Sequence, residues 1–148
     1  MNPNILPSNR AVLAGVIDPD AYAAGTVNSG WVSLADYGSI QALILVGTMA
    51  AGSTVDAKLQ QATDASGTGV KDITGKAITQ LTAAGTDDDK QAVINIRAEE
   101  LDVNGGFTHV RLAIITATAA SDSSGLILGH DARHQPATDL TTVDEVVS

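Results

Sequence analysis

No cysteine occurs among the 148 residues, and this single absence excludes a disulfide framework, a thiol nucleophile and thiolate metal sites. Aromatic side chains are nearly as scarce, amounting to 3% of the chain: Tyr22, Trp31, Tyr37 and Phe107. A core must then be built from Val, Ile, Leu and Ala, which bury less surface than rings do, and sharing apolar surface with further copies would help it. Positive charge is thin. Eight Lys and Arg stand against 17 Asp and Glu, for a net charge of −9, and a field of that sign repels a phosphate backbone, so direct binding of nucleic acid is not expected. Long apolar runs are missing too. The longest, "IQALILVGTMAAG" from Ile40 to Gly52, is interrupted by Gln and Gly and falls short of the ~20 residues of a membrane-spanning helix. "AVLAGVI", Ala11 to Ile17, follows a lone Arg10 and precedes "DPD", which makes a poor signal peptide. No membrane partner is expected.

What is present suits one folded domain: 44% hydrophobic and 17% charged residues, in a length that can enclose a single core without staples. "MNPNILPSNR" carries two prolines and no periodicity, so residues 1–10 are predicted as an extended arm. Within it Pro3 and Pro7 stiffen the backbone, while Ile5 and Leu6 offer apolar contacts that a free tail does not need. These four are the candidate partner-binding residues. Residues 11–134 are predicted as a β-sandwich domain and 135–148, rich in Thr and acid, as a C-terminal tail.

The strand signals are of two kinds. "WVSL", Trp31 to Leu34, reads as a short strand, and "IQALILV", Ile40 to Val46, is so nearly all apolar that it predicts a strand covered on both faces. Elsewhere the period is two. Val55, Ala57 and Leu59 alternate with Asp56, Lys58 and Gln60; Ala92, Ile94 and Ile96 alternate with Val93, Asn95 and Arg97; Val110, Leu112 and Ile114 alternate with His109, Arg111 and Ala113. "KDI" and "AITQL" continue the meander, and "GLILGHDARH", Gly125 to His134, supplies a last strand. Turn clusters such as "TDASGTG", "AAGTDDD", "DVNGG" and "SDSSG" separate them. The pattern predicts an all-β fold, an antiparallel sandwich of jelly-roll type, with "AEELD", Ala98 to Asp102, as its one helical turn.

Motifs with chemical content are weak. His130 and His134 in "HDARH" have the i, i+4 spacing of a helical metal site, but they follow a strand, precede Pro136 and have no third ligand cluster. The Gly-Lys pair in "GVKDITGKA" has the wrong spacing for a phosphate loop, and Ala77 stands where Ser or Thr is required. Asp87, Asp88 and Asp89, with Asp18 and Asp20, lack the alternating ligands of a calcium loop. Glu99 and Glu100 read as a solvated corner rather than an acid/base pair. His109 has no recognisable nucleophile beside it, and no serine sits in a G-x-S-x-G setting. Neither enzymatic activity nor a bound cofactor or metal is expected.

Three segments taken in order, "VDAKLQQATDASGTGVKDITGKAITQL", "QAVINIRAEELDVNGGFTHVRLAI" and "LGHDARHQPA", resemble a family of small accessory virion proteins of tailed bacteriophages and prophages, similar to head decoration or cement proteins. The likeness spans about residues 10 to 137. It rests on a "V-x-x-K-L-Q" strand before an "S-D/A-G-T" loop, the "AEELD" turn before an aromatic and "V-R-L" strand, and a closing "G-x-x-A-R-x-x-P" segment. The resemblance implies a β-sandwich without catalysis that assembles into oligomers and attaches to a capsid lattice; the expectation drawn from it is a homotrimer on the major capsid protein at the capsid exterior, assembled in the host cytoplasm. Tail, neck or head-fibre components use related sandwiches and stay open as an alternative. A carbohydrate-binding module is the alternative from a different class, opposed by the shortage of aromatic platforms.

Overall fold

Alternation of apolar and polar side chains, punctuated by Gly, Asp and Ser, leaves the backbone little choice but extended strands joined by tight turns. The computed structural model describes residues 5–147 and contains ten strands: β1 (Ala11–Tyr22), β2 (Gly25–Asn28), β3 (Val32–Ser33), β4 (Tyr37–Met49), β5 (Thr54–Ala62), β6 (Lys71–Ala77), β7 (Leu81–Thr82), β8 (Gln91–Arg97), β9 (His109–Ala117) and β10 (Ser121–Ala132). They form two antiparallel sheets. The first has the order β1-β10-β4-β8, and the second β2-β9-β5-β6, with β3 also on β9 and β7 also on β5. Setting aside the two-residue strands β3 and β7, the first main strand pairs with the last, the second with the one before it, and so inwards to the β5–β6 hairpin. That is a long hairpin rolled over on itself, the jelly-roll winding of an all-β sandwich.

The core lies between the sheets and is aliphatic, as the composition requires. Ile40, Ile44, Ile96 and Ile127 from the first sheet meet Val55, Leu59, Leu112 and Ile114 from the second, all at most 1% exposed. Tyr37 contributes the core's single aromatic ring. It lies over Gly129, where a Cβ would stand 2.5 Å from the ring carbons, so the glycine is what lets the ring pack flat on β10.

Four expectations need correction. The Ile40–Val46 run is not covered on both faces: Ile40, Ala42, Ile44 and Val46 are buried, whereas Leu43 is half-buried and Leu45 is 40% exposed. The arm is not extended throughout, because Pro7–Arg10 forms one helical turn with Pro at its first position, the place where a missing N–H and a fixed φ favour helix. Pro3 lies outside the described residues. "SDSSG" is not a turn but the start of β10, where Ser121 pairs with Tyr22 and Met49 and points inward. "AITQL" is not a strand of its own: Ala77 ends β6, residues 78–80 lie outside any strand, and Leu81 opens the two-residue β7. The helical turn foreseen in "AEELD" is a 3-10 turn over Ala98–Glu100, closed by the Arg97 N–H donating to the Glu100 carboxylate at 2.8 Å.

The tail folds back on the sandwich. The Leu140 N–H donates to the Leu13 carbonyl at 2.9 Å and the Leu13 N–H to Asp139 Oδ1 at 2.9 Å, so the free edge of β1 is occupied by residues that come after β10.

Candidate interaction surfaces

The two sheets turn very different faces outward. On the second sheet a continuous polar network runs across the strands: Lys58 Nζ to Asp72 at 2.7 Å, Gln60 Nε2 to Asp72 at 2.8 Å, and Arg111 Nε to Gln60 Oε1 at 2.9 Å. Gln80 Nε2 donates to Asp56 at 2.7 Å on the same face. Long polar side chains satisfied among themselves make a surface that stays in water.

Among the described residues the central rows of the outer face of the first sheet carry one cross-strand side-chain bond, Gln41 Nε2 to Asn95 Oδ1 at 3.3 Å, and no such network. The registers place Val16 beside Leu126, Leu126 beside Leu43 and Leu43 beside Val93, an aliphatic row across all four strands. The next row is Leu13, Leu128, Gln41 and Asn95, and on the other side Leu45 lies between Ser124 and Gln91. No residue in these rows is charged, in a chain of net charge −9. Leu45 and Val93, at 40% and 50% exposed, are the most open of the aliphatic side chains among them. Charge resumes at the β1 bulge, where the exposed Asp18 flanks Ser124, and at the ends of the strands. One end holds a depression of about 490 Å³ lined by Asp20, Asp89 and Asp122; the other holds His130 and Arg97 in the row with Ser39 and Ala11.

The arm residues gather at this second end. Ile5 and Leu6, 38% and 45% exposed, lead into the Pro7 turn, and Ile5 lines a depression of about 370 Å³ with Asn9, Arg10, His130 and Gln135. Sequence reasoning proposed the arm for docking; the structure sets its described part beside the apolar face. The face itself was missed, because an apolar run gives the same signal whether its second side is covered or open.

The motif residues have structural employment. Asp87 accepts the Thr82 N–H at 2.9 Å, Asp88 accepts the Met49 N–H at 2.7 Å, and Asp89 turns the chain at φ 58°. Glu100 binds Lys76 at 2.8 Å, and this ion pair first, then the Arg97 N–H, holds its carboxyl below the ordinary value. His109 Nδ1 lies 2.9 Å from the Thr108 hydroxyl. His130 points outward from β10 and His134 lies past the end of that strand. Among the described residues no three His, Asp or Glu side chains converge as a metal site would require, and no helix is long and apolar enough to cross a membrane.

The loop between β5 and β6 is shaped by the backbone rather than by reactive groups. Asp64 accepts from the N–H groups of Ser66 and Thr68, at 2.9 and 3.1 Å, and its pKa is lowered first by the Thr68 side chain and then by these backbone bonds. The loop lies on two aromatic rings, Gly67 against Trp31 and Gly69 against Phe107. Arg111 stands 4.7 Å from the Trp31 centroid and Lys71 4.1 Å from that of Phe107, so each ring already holds a cation over one face.

No model of a known protein family matches the chain, and no curated protein matches it. Among solved structures it is similar to a chain of infectious bursal disease virus, Gt strain, at 13% identity and a TM-score of 0.46, covering 94% of this chain and 39% of that one. A chain of the Gx strain of the same virus matches at 14% identity and a TM-score of 0.43, over 85% of this chain and 34% of the other. The chain thus spans well under half the length of the solved chains it matches.

Proposed function

We propose that the chain is a structural virion protein of a tailed phage, a capsid decoration protein that binds and stabilises the major capsid lattice from outside. It works without chemistry, by burying apolar surface at many copies, and self-association multiplies modest contacts into avidity. The observation that supports this reading most is the uncharged aliphatic outer face of the first sheet, set against the ion-paired outer face of the second: one side of the block suits water and the other suits protein. The sequence resemblance supplies the partner. A carbohydrate-binding role is less well supported, since Trp31 and Phe107 carry Arg111 and Lys71 over their rings and offer less open platform.

Cosedimentation of the purified chain with undecorated capsids tests the proposal. Saturable binding is expected, and Leu43→Asp with Leu126→Asp, both on the outer face and away from the core, should weaken it at least tenfold while leaving the β-rich circular dichroism spectrum unchanged. Absence of binding by the wild-type chain would overturn the proposal.

A further inference from the structure

An edge strand exposes a row of N–H and C=O groups to any other strand, and folded proteins normally blunt such rows with bulges, proline, short length or a covering segment. Three of the four edges here are treated in those ways. β1 is broken by register shifts at Leu13/Gly15 and Ile17/Asp20, and the tail covers it at Leu13. β2 is four residues long. β6 has a register shift opposite Lys58/Gln60 and turns through Gly75 at φ 76°. The fourth edge, β8, has no bulge and no proline, and only its Asn95–Arg97 end is covered, by the side chains of Lys76 and Glu100. It pairs with β4 in an unbroken register from Ser39↔Arg97 to Leu45↔Gln91, and no strand pairs with its other side.

The direction of its free groups follows from the ladder. Val46 N–H bonds the Lys90 carbonyl, so Lys90, Ala92, Ile94 and Ile96 face β4, and Gln91, Val93, Asn95 and Arg97 turn their main chain outward. Lys76 Nζ reaches the Asn95 carbonyl at 2.8 Å and Glu100 takes the Arg97 N–H. Within the described residues the main chain of Val93 meets no partner, and its side chain is half exposed at the end of the aliphatic row.

We infer that β8 is the surface on which two copies of this chain meet, as an antiparallel β8–β8 pair centred on Val93. The sequence is self-complementary about that centre. A two-fold axis there places Val93 opposite Val93 of the second copy, Gln91 opposite Asn95, and the exposed Asp89 at the turn next to Arg97. Neighbouring registers lose the Val pair and set Arg97 against Gln91 or Asp87 instead. The charge match matters in a chain of net charge −9, because two acidic copies approach at least cost where an arginine of each meets an aspartate of the other; Arg97, mostly exposed and held within its own chain by Glu99 at 3.4 Å and Glu100 at 3.9 Å, must share its charge with Asp89 of the second copy. The result is an eight-stranded sheet running through both copies, in which the aliphatic row doubles in length. A two-fold contact of this kind is isologous and closes at two, in place of the trimer expected from the sequence. It deepens the assembly part of the proposed function and rests on that reading only for its biological purpose.

The absence of cysteine makes the test clean. Val93→Cys, treated with a short bis-maleimide, is expected to give a covalent dimer in high yield. Val16→Cys, on the same row at the far edge, should not, because seven strand spacings of ~4.8 Å separate the two positions. Val93→Pro removes an N–H that points away from β4 and is expected to yield a folded monomer by light scattering and circular dichroism. Equal crosslinking at 16 and 93, a wild-type chain that stays monomeric at micromolar concentration, or a trimer that survives Val93→Pro would each overturn the pairing. Should such a monomer or trimer still sediment with capsids, the pairing alone is lost and the decoration role stands.

Discussion

The N–H of Leu13 donates to the carboxylate of Asp139 at 2.9 Å across 126 positions of sequence. With the Leu140 N–H on the Leu13 carbonyl, this one bond makes the tail a substitute strand for the open side of β1. Asp139→Ala is expected to lower stability by about 1 kcal/mol, the usual worth of one such hydrogen bond, and Asp139→Asn by less, since the amide oxygen still accepts. Urea midpoints of the two variants would decide; an unchanged midpoint for Asp139→Ala would show that the tail does not hold the edge.

Gly129 and Tyr37 give a second expectation. An alanine methyl at 129 would sit 2.5 Å from the Tyr37 ring, and a rigid ring cannot yield as the end of an aliphatic chain can. Gly129→Ala should cost about 2 kcal/mol, in the range of core overpacking. Gly30→Ala, where nothing lies within 4 Å of the added carbon, is the control and should change little. Equal thermal stabilities of the two variants would remove the ring-on-glycine argument.

Stability should be flat in pH across the middle range and fall at both ends. Asp72 is lowered first by its hydrogen bond from Lys58 and then by Gln60, Glu100 first by Lys76, and Asp102 first by Lys71. A carboxylate whose folded pKa is depressed stabilises above its unfolded pKa of ~4, and that contribution is lost as pH falls through the folded value. Tyr22 and Tyr37 are raised, by burial first and by neighbouring aspartates second. Their contribution is full below the unfolded pKa of ~10 and is lost as pH rises through the folded value. Denaturant midpoints from pH 2 to 11 test both limbs, on the order of the reference values. Lys76→Gln should make the acid limb shallower, and an acid limb unaltered by it would remove Glu100 from the account.

Deleting residues 2–10 is expected to leave the β-rich circular dichroism spectrum intact and to reduce occupancy on undecorated capsids in a sedimentation assay. The helical turn Pro7–Arg10 packs on β1 and β10 from outside and contributes no buried residue. Undiminished occupancy would make the arm dispensable, and loss of the fold would make it part of the core.

The fold was legible wherever the period of two was clean. Val55 to Gln60, Ala92 to Arg97 and His109 to Ile114 each lie in strands with the inward set foreseen. The aliphatic face was not legible, because Leu43 and Leu45 look in sequence like the second side of a buried strand, and only the registers with Val93 and Leu126, together with the exposure of Leu45 and Val93, show an open face among the described residues. "SDSSG" misled because serine and glycine favour turns locally, whereas Ser121 and Ser123 are small enough to face inward on β10 and pairing with β1 and β4 outweighs their propensity. That β8 is an edge could not be read at all. Edge position depends on which strand lies beyond, and the sequence of β8 says nothing about β10 having taken the place between β1 and β4.

The position of β10 between β1 and β4 also fixes an order of events during synthesis. β1 has no strand partner but β10, and β4 lacks its neighbour on one side until β10 arrives, so the first sheet cannot close while the ribosome is still making the chain before Ser121. The second sheet can pair β5 with β6 early, over a short loop; the first waits for a contact across most of the sequence, the kind that closes slowly. Until then β1, with its inward-facing Val12 and Ile17, has no strand to join, and the side of β4 that β10 will take stays open to strands of neighbouring chains on the same message.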